Sequence, residues 1–328
     1  MFYRDPVYKQ RAIQVQNSIR FRVRDVKDHD IGFIVSCSFI TARQIELLEK
    51  KVNYTAVKDY ESLILTAAQS LASRFVPSVG VIRSWQNWYK EPKDGVKVII
   101  DNMMNLDLLY IASKLPGGNA SWAGIATRHA QETLKNHLRS NFSTFHLVVY
   151  NETTRQVASK KTAQGYLDWS TWSRGQAWGI YGFASVYIQT RNETFLNTSL
   201  KLADHYFSRL GKVYMPKFDF DFPGDPKNRT IQDSSAFAVV LSALNLMIRE
   251  CDRLKWTTIS VKLTNYRTQL VSYLYDYRGV YLDGYARTAL LQHGTSFYGA
   301  NLSNHGLIYG DFYLRKAMNN STISFKRP

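Results

Sequence analysis

Six residues in this chain combine a side chain able to do chemistry with a place at or near the start of an apolar run: Asp30, Asp101, Arg174, Trp178, Asp233 and His305. Two carboxylates facing each other across a gap the size of a sugar are what acid–base work on a glycosidic bond requires, because one can be held protonated while the other stays charged. Arg174 has a planar fork suited to a carboxylate. Trp85 and Trp88 in "RSWQNWYKEPKDG", and Trp169, Trp172 and Trp178 in "LDWSTWSRGQAW", offer rings for stacking on sugar faces. Most have a plainer reading too. Asp30 and Asp233 fit helix caps, Trp178 fits a core position, and His146 in "STFHLVVYN" fits a satisfied histidine of a strand as well as a ligand contact. Arg174 is harder to set aside, because a cation inside a small-residue helix must be paired or must meet a ligand. In "VKVIIDNMMNLDLLYIASKL" the apolar residues after Asp101 recur at helical spacing, which predicts Asp101 at an N-cap or in a first helical turn.

The elements that must position these residues form a repeat. Five segments share a polar opener and an apolar, small-residue-rich run: "HDIGFIVSCSFITARQI", "DNMMNLDLLYIASKL", "STWSRGQAWGIYGFASVYI", "DSSAFAVVLSALNLMI" and "NHGLIYGDFYLRKAM". Their starts lie roughly 60 to 70 residues apart, within the range of helical arrays. After the first four comes a more amphipathic helix: "DYESLILTAAQSLASRF", "SWAGIATRHAQETLKNHL", "ETFLNTSLKLADHYFSRL" and "TTISVKLTNYRTQLVSYL"; "DPVYKQRAIQVQNSIRF" is a further one at the start of the chain. Helices apolar on nearly all sides belong inside and amphipathic ones outside. The pattern predicts an all-α protein, an α/α barrel of inner and outer helices with the openers at one mouth. A closed barrel of this type has six inner helices, so the expectation is a single catalytic domain over 1–328 that lacks its first inner helix at the N-terminus.

Composition bounds the rest. With 328 residues, 45% apolar and 14% aromatic, the chain can bury a substantial core. No uninterrupted apolar run approaches the roughly 20 residues a membrane span needs, so no membrane partner is expected. The net charge of +16 fits an acidic carbohydrate, a nucleic acid or an anionic surface; the basic residues are scattered and form no Lys/Arg stripe, which argues against nucleic acid. Cys37 and Cys251 both sit in apolar helical patterns and read as free thiols, and no metal-ligand spacing occurs. Ten N-x-[ST] sequons begin at Asn53, Asn119, Asn141, Asn151, Asn192, Asn197, Asn228, Asn301, Asn319 and Asn320. Chance predicts roughly three, so the excess points to a secreted or endomembrane glycoprotein of eukaryotic history. The opening "MFYRDPVYKQRAIQ" has no signal-peptide core. A missing N-terminal segment would reconcile the two; otherwise the protein is cytoplasmic.

A family likeness is carried by "DHDIGF" at 28–33, "RSW" at 83–85, "IIDNMMNLDLL" at 99–109, "FHLVVYN" at 145–151, "QGY" at 164–166, "STWSRGQAWGIYGF" at 170–183, "DSSA" at 233–236, "LLQHG" at 290–294 and "LIYGDFYL" at 307–314. In this order the motifs resemble those of the unsaturated glucuronyl hydrolases, glycoside hydrolase family 88. The resemblance implies a six-hairpin (α/α)6 barrel, without cofactor or metal, that removes a 4,5-unsaturated uronic acid from the non-reducing end of acidic oligosaccharides left by polysaccharide lyases. The implied chemistry is hydration of the C4=C5 vinyl ether. Asp101 resembles the general acid/base and Asp30 the second essential carboxylate; an acid that protonates carbon needs a raised pKa, which an apolar helix start lined by Met and Trp favours. His146, Gln164, Trp172, Arg174 and Trp178 resemble the substrate-binding residues, with Trp85 beside them in "RSW".

Three departures accompany the likeness. The family's Trp-rich N-terminal helix has no counterpart before Met1, Ala163 stands where His commonly precedes "QGY", and Gly306 stands where Ser is usual. The alternatives are an inactive or truncated relative that binds acidic sugars without turnover, and an unsaturated rhamnogalacturonyl hydrolase.

Overall fold

The computed structural model describes residues 6–27, 29–85, 95–224, 231–282 and 289–319. Trp88 and the sequon residues Asn228 and Asn320 lie outside these. The chain divides into two units, Met1–Thr133 with Val149–Ala158, and Leu134–Val148 with Ser159–Pro328.

In the first unit, α1 (Pro6–Ser18) buries no residue. Helix α2 (Ile31–Val35) runs through a π turn, Ser36–Ile40, into α3 (Thr41–Leu47). The Thr41 hydroxyl donates to the Ser36 carbonyl at 2.8 Å across that wider turn. The amphipathic segment "DYESLILTAAQSLASRF" lies largely in α4 (Tyr54–Ala72), which begins before it and is started by Asn53, whose side chain accepts the Ala56 N–H at 3.1 Å. Val57, Tyr60, Ile64, Ala67, Ala68 and Leu71 of α4 are buried, the stripe expected of a helix covered on one side, and it packs on α2, α3 and the later α5 (Leu106–Ala112). Between α4 and α5 come the antiparallel strands β1 (Phe75–Val76) and β2 (Val81–Ile82), then β3 (Gly95–Ile99) and a 3₁₀ helix, Ile100–Asn105. The run after Asp101 is thus a 3₁₀ turn followed by a short α-helix, where its spacing predicted one helix.

Helix α6 (Ser121–Asn136) leads to β4 (Leu147–Asn151) and β5 (Val157–Lys161), joined by a turn in which the Asn151 side chain accepts the Thr154 N–H at 2.7 Å. In the second unit, α7 (Ser173–Thr190) and α9 (Ser234–Arg253) are buried over most of their length, as small-residue runs require, whereas α8 (Glu193–Leu210) and α10 (Thr257–Asp276) bury one stripe each. Helix α7 packs on α8 and α9, and α9 on α10 and the last helix, α12 (Ile308–Asn319), which follows the short α11 (Arg278–Tyr281). By length and composition α9 is apolar enough to cross a membrane, but it is a core helix surrounded by these neighbours. Phe183 and Phe195, both buried, stack at 6.1 Å between α7 and α8. Each such side chain contributes about 1.5–3 kcal/mol by leaving water. The alternation of inner and outer helices expected from the sequence therefore holds along α7 to α10.

The fifth expected inner segment begins later than its pattern indicates. Residues 302–305 form β7 (Leu302–His305), paired antiparallel with β6 (Gly294–Phe297), and α12 begins only at Ile308. His305 is therefore the end of a strand and not the opener of a helix. Cys251 is buried and the pKa of its thiol is pushed up to about 11 by burial, while Cys37 is partly exposed; the two are not joined by a disulfide, as expected.

Candidate active site

In the first unit the two expected carboxylates sit at neighbouring helix starts. Asp30 occupies the N-cap position of α2, yet its backbone is already helical (φ −64°, ψ −6°) and its side chain makes no capping hydrogen bond. The carboxylate is instead turned outward, 56% exposed, with one oxygen 3.4 Å from Nε2 of the buried His29. The capping reading thus fails for Asp30. Asp101 lies in the first turn of the 3₁₀ helix, where Ile99 is the cap, and is half-buried among the buried Ile100, Asn102, Met103 and Met104. Trp85 is half-buried beside the buried Ser84. The buried Arg74 guanidinium gathers the surrounding backbone, donating to the carbonyls of Val26, Arg83 (2.9 Å) and Ser84 (3.1 Å).

In the second unit the five expected binding residues form one connected cluster. Arg174, in the first turn of α7, is buried and pairs with Asp233. It also donates to the carbonyls of Thr295 and, at 2.8 Å, Ser296, and its guanidinium lies 4.5 Å over Trp172 and 5.4 Å from the Tyr309 ring. Of the two outcomes expected for a buried cation, pairing is the one realised. Gln164 Nε2 donates to the same Ser296 carbonyl at 3.0 Å. His146 Nδ1 accepts the Ala163 N–H at 2.9 Å, which places the proton of the neutral ring on Nε2, and the ring lies 4.6 Å from Trp172. Trp178 is buried edge-on against Tyr309 and Tyr313, at 5.9 and 5.7 Å, which fits its plainer reading as core. His305 Nε2 lies 3.3 Å from the Ser296 hydroxyl. Trp169 is 62% exposed.

Asp233 behaves as the capping reading requires. Its Oδ1 accepts the N–H of Ser235 at 3.1 Å and the Ser235 hydroxyl at 2.6 Å, at the start of α9. Sequence reasoning missed Asp219, a buried carboxylate that accepts the Tyr166 N–H (2.9 Å), the Ser170 hydroxyl (2.6 Å) and the Asp221 N–H (3.0 Å). Burial pushes this carboxyl above its ordinary range, and the three hydrogen bonds oppose that shift. Its signal was present as an alternation of aromatic and acidic residues, "FDFDF" at 218–222. Ser296 and Tyr309, which join the cluster together, carried no such signal. Among the described residues, no group of three or more His, Cys, Asp or Glu side chains is placed to hold a metal ion.

One departure from the family pattern has a steric explanation. A Cβ added at Gly306 would lie 2.0 Å from the Ala289 Cβ, so a side chain here requires the backbone to move. Gly306→Ser is expected to destabilise the protein by about 1–3 kcal/mol, as overpacking does, with Ala289→Gly restoring most of the loss in the double variant. Thermal unfolding of the three variants checks this; additive losses would show that the two positions do not press on each other.

No family model matches the chain. It is 33% identical over 318 residues to the unsaturated glucuronyl hydrolase of Formosa agariphila, covering 96% of this chain and 74% of that protein. The crystal structure of an unsaturated glucuronyl hydrolase specific for heparin superposes with a TM-score of 0.79 at 29% identity, covering 93% of this chain and 77% of that one. The unsaturated glucuronyl hydrolase of Bacillus sp. GL1, described as responsible for the degradation of glycosaminoglycan, superposes with a TM-score of 0.84 at 26% identity, covering 97% and 81%.

Proposed function

The chain belongs to the unsaturated glucuronyl hydrolases and has their (α/α)6 fold class, and on that basis we propose how its residues carry the reaction. As a glycosidase of this family it acts on the unsaturated uronic acid at the non-reducing end of an acidic oligosaccharide. The uronate is a vinyl ether, its C4=C5 bond conjugated to the ring oxygen. Asp101 delivers a proton to C4 and takes one from the water that adds at C5. The product is a hemiketal at C5. Its ring C5–O bond breaks to give a C5 ketone, and the hemiacetal left at C1 collapses to an aldehyde with release of the remaining sugar as an alcohol. Asp30, outward-facing, holds the uronate hydroxyls. His146, Gln164, Trp172, Arg174 and Trp178 shape the sugar's surroundings, Arg174 through the ring and carbonyls it fixes, and Trp85 offers a half-buried ring.

The observation that supports these roles is a contrast between three aspartates at helix starts. Asp233 is consumed by capping; Asp30 stands at a cap position without capping, and Asp101 lies past the cap. The experiment is to follow the ultraviolet absorbance of the conjugated double bond when wild-type protein meets a mixture of lyase-generated unsaturated disaccharides. Loss of absorbance is expected; its persistence, with folded protein, would overturn the reading. The net charge of +16 favours encounter with such anionic substrates.

We further propose that the protein is secreted or resides in the endomembrane system and carries N-linked glycans. Of the sequon residues described, Asn53, Asn119, Asn141, Asn192, Asn197, Asn301 and Asn319 are exposed. At Asn53 and Asn192 the side-chain oxygen accepts a helix-capping N–H, which leaves the amide nitrogen for the sugar. Expression in a eukaryotic secretory host should give a mass that falls on endoglycosidase treatment, and in Asn53→Gln and Asn192→Gln. An unchanged mass would sink the proposal.

A further inference from the structure

Within the first unit, the segments that carry Asp30 and Asp101 are tied to each other on both sides of each carboxylate. We propose that the two ties, Ser84 and Asn105, are positioning residues that set the separation of Asp30 and Asp101 for the reaction proposed above, a reading on which this inference rests.

Ser84 makes the first tie. Its carbonyl accepts the His29 N–H at 3.1 Å, immediately before Asp30, and its hydroxyl accepts the Ile99 N–H at 3.0 Å, just before the helical turn that holds Asp101. Ser84 is itself fixed, donating its own N–H to the Lys97 carbonyl at 2.8 Å and accepting from the Arg74 guanidinium at 3.1 Å. The second tie is Asn105, whose Oδ1 accepts the Phe33 N–H at 2.7 Å. Asp30 lies between His29 and Phe33, and Asp101 between Ile99 and Asn105. Each carboxylate therefore has one tie before it and one after it.

The second tie is built with little slack. A Cβ added at Gly32 would lie 2.4 Å from both Cβ and Oδ1 of Asn105, so only glycine lets α2 approach this closely. The Asn105 amide is oriented in turn: its Nδ2 donates to Asn102 Oδ1 at 3.2 Å, and Asn102 Nδ2 donates to the Ile82 carbonyl at 2.8 Å. The Ile82 N–H donates to His129 Nδ1 at 3.0 Å, ending the chain of bonds in β2 and α6. Ser84, Asn102, Asn105 and His129 are fully buried. Satisfied polar networks of this kind hold one arrangement, because every alternative leaves a buried donor or acceptor without a partner. Two carboxylates that share one reaction need that fixity, since a misplacement of about 1 Å can cost about 100-fold in rate.

The test compares Asn105→Ala, Ser84→Ala and Ser84→Thr with wild type, measuring kcat, KM and the pH profile of kcat on an unsaturated disaccharide, with thermal unfolding as the control for folding. Asn105→Ala is expected to lower kcat about 10- to 100-fold and to move the pH profile, because the two carboxylates change their influence on each other. KM should change less than kcat, its rise coming from the shifted hold of Asp30 on the uronate hydroxyls. Ser84→Ala keeps its main-chain bonds and loses only the hydroxyl, so a smaller drop of about 3- to 10-fold is expected, and Ser84→Thr, which retains the hydroxyl, should recover most of it. Folded variants with wild-type kcat and an unmoved pH profile would overturn the inference, as would a rise in KM alone. Should Asn105→Ala fail to fold, the Ser84 pair decides. If wild-type protein leaves the double bond intact, the functional reading falls and takes this one with it. An active wild type alongside equally active variants sinks the positioning role alone.

Discussion

Asp101→Asn is expected to abolish the loss of ultraviolet absorbance on unsaturated disaccharides, lowering kcat by about 1,000-fold or more while moving the melting temperature little. General acid–base groups commonly supply about 100- to 10,000-fold, and here one residue serves twice, giving a proton to carbon and taking one from water. Asparagine matches the aspartate in shape but can neither give up nor accept that proton near neutral pH. Little stability should be lost, because Asp101 is half-buried, is not the cap of its helix, and is replaced by a side chain of the same shape. The split between rate and stability is what separates this reading from a structural one. An Asp101→Asn protein that still consumes the double bond at a rate near wild type would remove Asp101 from the chemistry. Asp30→Asn is expected to fall in the same direction with a larger rise in KM, since its exposed carboxylate is assigned to the sugar hydroxyls.

The second large effect is expected on stability. Arg174→Met should destabilise the protein by about 3–5 kcal/mol, because it leaves the Asp233 carboxylate buried without its cation. Against a total of about 5–15 kcal/mol for a folded protein, this is a loss that thermal or urea unfolding would show plainly. The carbonyls of Thr295 and Ser296 lose a donor in the same step. Pairing the change with Asp233→Asn should return part of the loss, since the asparagine oxygen can still cap α9 and no buried charge remains. The measurement also divides the roles assigned to Arg174. A variant of wild-type stability with a raised KM would make the guanidinium a direct ligand of the uronate. A variant that melts early but binds normally once cooled would make it a support for the loop at 295–296.

The sequence determined the elements. The 3.6-residue period and the polar openers located α4, α6, α7, α8, α9 and α10 closely, because a helix is built from bonds four residues apart and its buried stripe is written within one segment. The motifs also located the aspartates and the aromatic cluster, and the family those motifs resemble is the one to which the chain belongs. Which aspartate caps and which does not was decided only in three dimensions. All three precede apolar runs, yet Asp233 meets Ser235 and the buried Arg174, 59 residues away in sequence, while Asp30 turns outward. The start of α12 followed the same rule, since pairing of β7 with β6 claimed residues that a helical pattern had equally well explained. Gly32 looked like one small residue among many until Asn105, 72 residues from its neighbour Phe33, came to rest against it. Local spacing fixes what a segment becomes on its own. The partner of a buried charge or amide is fixed by which distant segment arrives there, and the cost of leaving a polar group unpaired then leaves no second choice.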